Sequence, residues 1–316
     1  MHPKGDFSFL ADLSDSGNRL DVVVSIHLPE YSRSHVAALI RNGNILVHGN
    51  KKKPGYKVCE GDEISGTIET HENVRFDPEP IPLNILYEDD AIIVINKQPG
   101  LVVHPAPGHY TGTLLNGLLY HCPEIEAYGA KMRAGIVHRL DKDTSGIMVI
   151  SKTMDAHEFL SRQFKDRTIQ KKYLALVHGE LKSDSGRITF PIGRHPVDRK
   201  KMSIIGTNKR DAETLWKVKE RFSDATLLEV NLKTGRTHQI RAHCAAINHS
   251  IVGDPVYGGR KNRKNPSDCF KSANRQMLHS WRLGLVHPET KKNMTFEAPI
   301  PADMEALISR LRSSYS

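Results

Sequence analysis

The chain has 316 residues, 38% of them hydrophobic and 26% charged, which is long for one ordinary domain and comfortable for two. Its net charge of +9 and pI of about 9.3 suit a polyanionic partner, because clustered Lys and Arg neutralise phosphates and release counterions. No apolar run approaches the ~20 residues of a membrane crossing, and Cys59, Cys122, Cys244 and Cys269 form no C-x-x-C pair, which excludes the common zinc modules and a disulfide framework.

The start, "MHPKGDFSFLADLSDSG", has no apolar signal core, so a cytoplasmic protein with no membrane partner is expected. Residues 17–70 read as a small module. "NRLDVVVSI" predicts a short helix. "YSRSHVAALIRNGN" predicts a clearer one, with Ser32 or Ser34 as cap, Val36, Leu39 and Ile40 as its apolar stripe, and Gly43 as its stop. "NILVHGNKKKPGYKVCEGDEISGTIE" predicts strands, with turns at His48-Gly49-Asn50 and Pro54-Gly55. Arg33 and Arg41 fall on the second helix, and Lys51, Lys52 and Lys53 fall at a hairpin. A helix and a basic hairpin together make a plausible phosphate-reading patch.

"HENVRFDPEPIP", residues 71–82, carries three prolines and reads as a linker. This divides the chain into an N-terminal module, 1–75, and a larger domain, 76–316. In the larger part, Asp89-Asp90 marks a turn between two apolar strands. "GTLLNGLLYH" and "TMDAHEFLSRQFKDRT" predict helices, the second capped by Thr153 with Leu160 and Phe164 inward. "KKYLALVHGEL", "GRITFPIG", "ETLWKVKERF" and "ATLLEVNLKTG" predict strands, and "THQIRAHCAAIN" and "PADMEALISRLRSS" predict helices. The expected class is α+β with a mixed, largely antiparallel sheet, because strands dominate without regular alternation with helices. "GGRKNRKNPSD", 258–268, reads as a basic surface loop.

"GIVHRLDKDTSGIMVISK", residues 135–152, packs His138, Arg139, Asp141, Lys142 and Asp143 between two apolar ends. Cationic neighbours favour the ionised form of an aspartate, so Asp141 suits a nucleophile or a base better than a proton donor. The plain alternative is a turn, since "DKDTSG" is good turn sequence. A glycosidase pair of Asp141 and Asp143 needs one protonated carboxyl, which the local basic field opposes. Tyr173 lies in a strand after two lysines, either as a core residue or as a ring for stacking and proton transfer. "LKTGRTHQIRAH" ends a strand at Gly235 and starts a helix near Thr237. Arg236, His238, Arg241 and His243 surround that start as either an anion site or a capped, solvated helix end. His238, His243 and Cys244 share no helical face and are not read as metal ligands.

These motifs together carry a resemblance. "LVVHP", "HRLDKDTSG", "KKYLALVHG", "TGRTHQIRAH" and "VGDPVYG" occur in the order seen in RNA pseudouridine synthases of the RluA/RluD type, over nearly all of residues 83–301. Residues 19–64 resemble the RNA-binding module first described in small-subunit ribosomal protein four. Gln98, Ala134 and "AINHSIVGD" depart from the usual pattern in loops, which leaves target choice open. The resemblance implies isomerisation of uridine in RNA, with ribosomal RNA of the large subunit favoured over transfer RNA. It implies neither cofactor nor metal. Asp141 matches the essential aspartate, Arg139 the arginine of the same motif, Tyr173 the active-site tyrosine, and Arg241 the arginine that pairs with the aspartate. Asp141 would attack C1′ or take the C2′ proton. Arg33, Arg41, Lys51, Lys52, Lys53, Arg236 and His238 are the candidates for RNA contact, and a monomer is the default. A non-catalytic assembly factor using the same basic surfaces is the rival reading.

Overall fold

The computed structural model describes residues 4–29, 31, 33–69, 77–105, 110–128, 134–198, 201–258 and 270–313. The chain divides into two compact units, Met1–Arg75 and Phe76–Ser316. Among the described residues no helix is long and apolar enough to cross a membrane.

The N-terminal unit holds strand β1 (Lys4–Leu10), helices α1 (Leu20–His27) and α2 (Arg33–Asn42), and strands β2 (Ile45–Val47) and β3 (Glu63–Glu69). The three strands form one antiparallel sheet in the order β1-β3-β2. Val23, Val24, Val36, Ile40, Ile45 and Ile64 are buried together as its core. Gly43 ends α2 with a positive φ of 85°, which glycine adopts without steric cost. Three expectations change here. The sequence reading passed over β1, although Phe7 and Phe9 alternate with polar residues and both pack on the core. Ser34 is inside α2 rather than at its cap, and Ser32 lies outside the described residues. Lys51, Lys52 and Lys53 follow the β2 turn in a long connection rather than forming a two-stranded hairpin.

The larger unit is built on a nine-stranded sheet. Its strands are β4 (Ile85–Glu88), β5 (Ile92–Lys97), β6 (Ser145–Ser151), β7 (Gln170–His178), β8 (Ser185–Ile188), β12 (Thr214–Arg221), β13 (Ala225–Leu232), β14 (Leu278–Val286) and β15 (Asn293–Glu297). The order is β4-β5-β6-β14-β7-β13-β12-β8, with β15 beside the far end of β14. All pairs are antiparallel except β6 with β14. β9 (Ile192–Arg194), β10 (Met202–Ser203) and β11 (Thr207–Arg210) form a small separate sheet.

Strands β5 and β6 are apolar on both faces, as buried sheet requires. Ile93, Ile95, Met148 and Ile150 join the main core with α3 (Leu114–His121). Ile92, Val94, Ile147 and Val149 join a second core under α4 (Met154–Asp166). The Thr113 hydroxyl caps α3 and the Thr153 hydroxyl caps α4, each accepting a backbone N–H from the first turn. α5 (Gln239–Ala246) and α6 (Ala302–Ser313) complete the main core through Ile240, Cys244, Met304, Leu307 and Ile308.

β14 is the central strand that the sequence reading did not assign, although Leu283 and Leu285 alternate in it and are buried. Where it meets β6, Gly146 has a φ of 111°, and a Cβ there would collide with the Ser280 backbone. The expected linker 71–82 also changes. Residues 70–76 lie outside the described residues, but 77–82 are fixed to α3: Asn116 donates to the Asp77 carbonyl at 2.8 Å. The basic loop 258–268 lies almost wholly outside the described residues.

Candidate active site

The motif around Asp141 is a loop that leads into β6. Its entry is held by His138, whose Nε2 accepts the Val149 N–H at 3.0 Å and whose ring stacks on Phe164. His138 was counted among the charges of this segment, and that is corrected here. Burial, helped by the Lys171 charge, pushes it down to about 3, so it is a neutral acceptor. Leu140 anchors the next turn in the main core. Thr144 N–H closes a turn on the Asp141 carbonyl at 3.1 Å.

Two cations grip the carbonyls that follow Asp141. Lys97, at the end of β5, is 1% exposed and donates to the Gln98, Leu101 and Lys142 carbonyls, each at 2.9 Å. Burial lowers its ammonium to about 7, against the pull of Asp143 and Asp141. Three acceptors engage all three ammonium protons, which a neutral amine could not supply. Arg275 donates to the Asp143 carbonyl at 3.1 Å while its other nitrogens clasp Asp303 of α6 at 2.6 and 2.8 Å.

The carboxylate meets Arg241, which comes from α5. Arg241 Nη1 donates to Asp141 Oδ2 at 2.8 Å. Its Nε and Nη2 donate to the two oxygens of Asp254 at 2.7 and 3.0 Å. Asp254 Oδ1 accepts the Val256 and Tyr257 N–H groups as well. Burial alone would lower the Arg241 guanidinium; the bonds to Asp254 and the charges of both carboxylates raise it instead. Burial likewise pushes Asp254 up, and Arg241 with the backbone donors outweighs it and holds the carboxyl below its ordinary value. The guanidinium is therefore a fixed bridge, 5% exposed, that aims Asp141, itself 21% exposed, into a cleft of about 140 Å³. Among the described residues no hydrogen bond is made to Asp141 Oδ1.

Tyr173 lines the same cleft from β7, between Val230 of β13 and Ser280 of β14. Burial pushes its hydroxyl up to about 12; a hydrogen bond with Ser280 lowers it and the Asp141 charge raises it. His238 places Nε2 3.8 Å from Asp141 Oδ2. Arg139 and Arg236 reach the rim, Arg139 exposed and Arg236 donating through Nε to the Asp211 carbonyl at 3.1 Å. α5 begins at Gln239, two residues later than expected, because the Gln239 side chain folds back to accept the Arg236 N–H and the Thr234 hydroxyl. The guanidinium beside Asp141 is thus the distant Arg241, not the near-neighbour Arg139.

The N-terminal unit has its own groove, of about 750 Å³. Arg41, Lys51, Lys52 and Lys53 line it with Arg19 and Tyr56, and the Lys52 ammonium sits 5.1 Å from the Tyr56 ring centre. Arg33 does not line this groove itself, but its Nε pairs at 3.2 Å with Asp21, which does.

Lys97, Asp254, Tyr257 and Arg275 were not singled out from the sequence. A lysine closing an apolar strand, an arginine before the "QMLHSW" strand and the quoted "VGDPVYG" were the local signals, and none reveals a partner: Lys97 and Arg275 reach carbonyls 45 and 132 residues away.

Sequence profiles and solved structures show the family and the fold. The profile described as RNA pseudouridylate synthase matches residues 91–246, and the S4 domain profile matches 18–64. The chain is 46% identical over 304 residues to Ribosomal large subunit pseudouridine synthase D of Neisseria meningitidis serogroup B, covering 94% of this chain and 79% of that protein. It is 42% identical over 304 residues to Uncharacterized RNA pseudouridine synthase YlyB of Bacillus subtilis, covering 96% and 97%. The solved structure of Human RNA Pseudouridylate Synthase Domain Containing 1 superposes with a TM-score of 0.56 at 26% identity, covering 74% of this chain and 96% of that one. With near-full-length identity of this order and a matching catalytic fold behind an S4 domain, the chain belongs to the RNA pseudouridylate synthase family.

Proposed function

We propose that the chain converts specific uridines of large-subunit ribosomal RNA to pseudouridine, with Asp141 as the reacting carboxylate. The observation that carries this reading is the Asp141–Arg241–Asp254 array at the floor of the cleft. The N1–C1′ bond breaks, the uracil turns, and C5 bonds to C1′. Attack on C1′ and removal of the C2′ proton both call for an ionised, aimed carboxylate with an oxygen free for the ribose. Arg241 supplies the aim, and Asp254 keeps Arg241 in place.

Tyr173 presents its ring to the uracil and keeps its phenolic proton at neutral pH. Arg139, exposed at the rim, contacts a phosphate or fills the space left by the extruded base. Flipping the nucleotide costs a few kcal/mol of unstacking. Arg236 at the cleft and Arg41, Lys51, Lys52 and Lys53 in the N-terminal groove offset that cost through phosphate contacts. The unit Met1–Arg75 serves binding and the unit Phe76–Ser316 serves chemistry. The chain is taken to act as a monomer. The ribosomal target follows the naming of the relatives.

The test compares wild type with Asp141→Asn on ribosomal RNA, reading pseudouridine and RNA affinity separately. Binding is expected to persist while product formation falls by on the order of 10⁴-fold or more. Unchanged conversion by the variant would refute the assignment. Mapping pseudouridine in RNA from cells lacking the protein decides the target; a missing site in transfer RNA alone would overturn the ribosomal reading.

A further inference from the structure

We propose that His238 carries the proton that must move from C5 to N1 of the uracil during isomerisation, a role that rests on the uridine-to-pseudouridine reading above. Once C5 has bonded to C1′, C5 is tetrahedral and still bears its hydrogen, and C6 is doubly bonded to N1. A base must take the C5 proton. The C–H electron pair then restores the C5=C6 bond, the C6=N1 π pair moves to N1, and N1 takes the proton back from the base. The net change is one proton moved from C5 to N1, with no oxidant, reductant or further reactant.

The geometry places an imidazole nitrogen in the cleft beside Asp141. His238 lines the cleft with Asp141, and its Nε2 lies 3.8 Å from Asp141 Oδ2. Its Nδ1 is 3.1 Å from the Tyr257 hydroxyl. That hydroxyl accepts the Met202 N–H at 2.8 Å and donates its own proton to the Met202 carbonyl at 3.1 Å. In the tautomer in which the phenol proton goes to the Met202 carbonyl, Nδ1 is the donor to Tyr257 and the lone pair is on Nε2, and this is the tautomer the proposal uses. The Tyr257 ring meets the imidazole edge-on at 5.7 Å and stops it turning.

Backbone conformation is the second observation. His238 is the N-cap of α5 at φ 55° and ψ 22°, left-handed for a residue with a Cβ, and its side chain makes no capping bond. Such strain at a cap persists where the surroundings demand a particular side-chain direction. The electrostatics agree. Burial lowers the imidazole below its ordinary value, Arg241 and Arg139 lower it further, and Asp141 and Asp254 oppose them. The ring is therefore neutral at neutral pH and able to accept a proton. The Tyr173 phenol, pushed up to about 12, already holds its proton and is a poor acceptor. An imidazolium formed at His238 lies beside the Asp141 carboxylate, which stabilises it until N1 is protonated.

His238→Asn tests the proposal. Asparagine tolerates the left-handed backbone and can still donate to Tyr257, but it has nothing at the Nε2 position. Single-turnover rates are measured on RNA carrying uridine or 5-deuterouridine. The variant is expected to slow by about 10²-fold or more, with Tm unchanged, and to acquire a deuterium isotope effect that wild type lacks. The wild-type rate should fall as acid protonates the imidazole, and the variant should lose that limb. A variant at the wild-type rate, or one slowed without an isotope effect, would overturn the role. If the Asn variant does not fold, Tyr257→Phe reads the same step: freeing the tautomer should also bring out an isotope effect, and its absence overturns the proposal. A wild type that forms no pseudouridine would overturn the reaction itself, which separates the two failures.

Discussion

In the N-terminal groove, Arg41, Lys51 and Lys53 are exposed to solvent, and among them and Lys52 only Lys52 has a ring contact. Around Asp141, Lys97, Arg241 and Asp254 are each buried, and each is tied to two or more fixed partners. Both regions concentrate charge, but they put it to different physical use. Exposed lysines act through number and reach, and salt screens them. The buried array acts through direction, which depends on every partner being present. Damage to the cleft should therefore be steep and specific, while damage to the groove should be graded and sensitive to ionic strength.

The largest break is expected at Arg241. Arg241→Met leaves Asp254 buried without its partner, which costs about 3–5 kcal/mol of stability. Unfolding by urea measures that loss, and pseudouridine formation should vanish in the fraction that remains folded. Near-normal stability would show that the bridge to Asp254 carries little weight. Lys97→Met comes next. It strips donors from three carbonyls and costs about 1–3 kcal/mol. Because the Lys142 carbonyl is one of them, the loop that aims Asp141 loosens, and kcat should fall by on the order of 10²-fold with KM nearly unchanged. An equal loss in KM would point to a binding role instead.

His138 sharpens the comparison through pH. The unfolded chain takes up a proton near the ordinary value of 6.5, whereas the folded imidazole resists protonation down to about 3. Its contribution to stability is complete above 6.5 and is lost as pH falls towards 3. His279, held at about 4 mainly by burial, acts in the same direction, so the comparison is between wild type and His138→Gln. The Gln variant, which can still accept from Val149, should show a shallower loss of stability on acidification, measured by urea unfolding across that range. Parallel pH profiles would remove His138 as the cause. The smallest effect on chemistry belongs to the groove. Changing Lys51, Lys52 and Lys53 to alanine should leave single-turnover kcat near wild type and weaken RNA binding. The slope of log K against log salt should drop by about 0.7–0.9 for each lysine that touches phosphate. An unchanged slope would remove the groove from the RNA contact.

Much of the molecule was legible because the signals are local. The helices α2, α3 and α4 were readable from apolar spacing and from caps within a few residues, such as Thr153 before Ala156. The apolar runs of β5 and β6 marked buried sheet. β1 and β14 were passed over because the chain start was weighed only as a possible leader, and the segment 278–286 mixes histidine, arginine and tryptophan with its apolar residues. Of the candidate site residues, Arg139, Asp141, Tyr173, Arg236, His238 and Arg241 line one cleft. That Arg33 pairs with Asp21 on α1 was not legible, because nothing in its own helix shows that partner.

By itself, then, the sequence determined most of the segments that become strands and helices, β1 and β14 excepted, and which stretch concentrates reactive side chains. Those outcomes follow from hydrophobic periodicity and capping, which act over a few residues. Only the tertiary structure decided that Asp254 clasps the Arg241 guanidinium, that Lys97 and Arg275 grip the two carbonyls after Asp141, and that His138 stays neutral. Those depend on β14 entering between β6 and β7 and on how deeply each group is buried, and burial is a property of the packed chain rather than of neighbours in sequence.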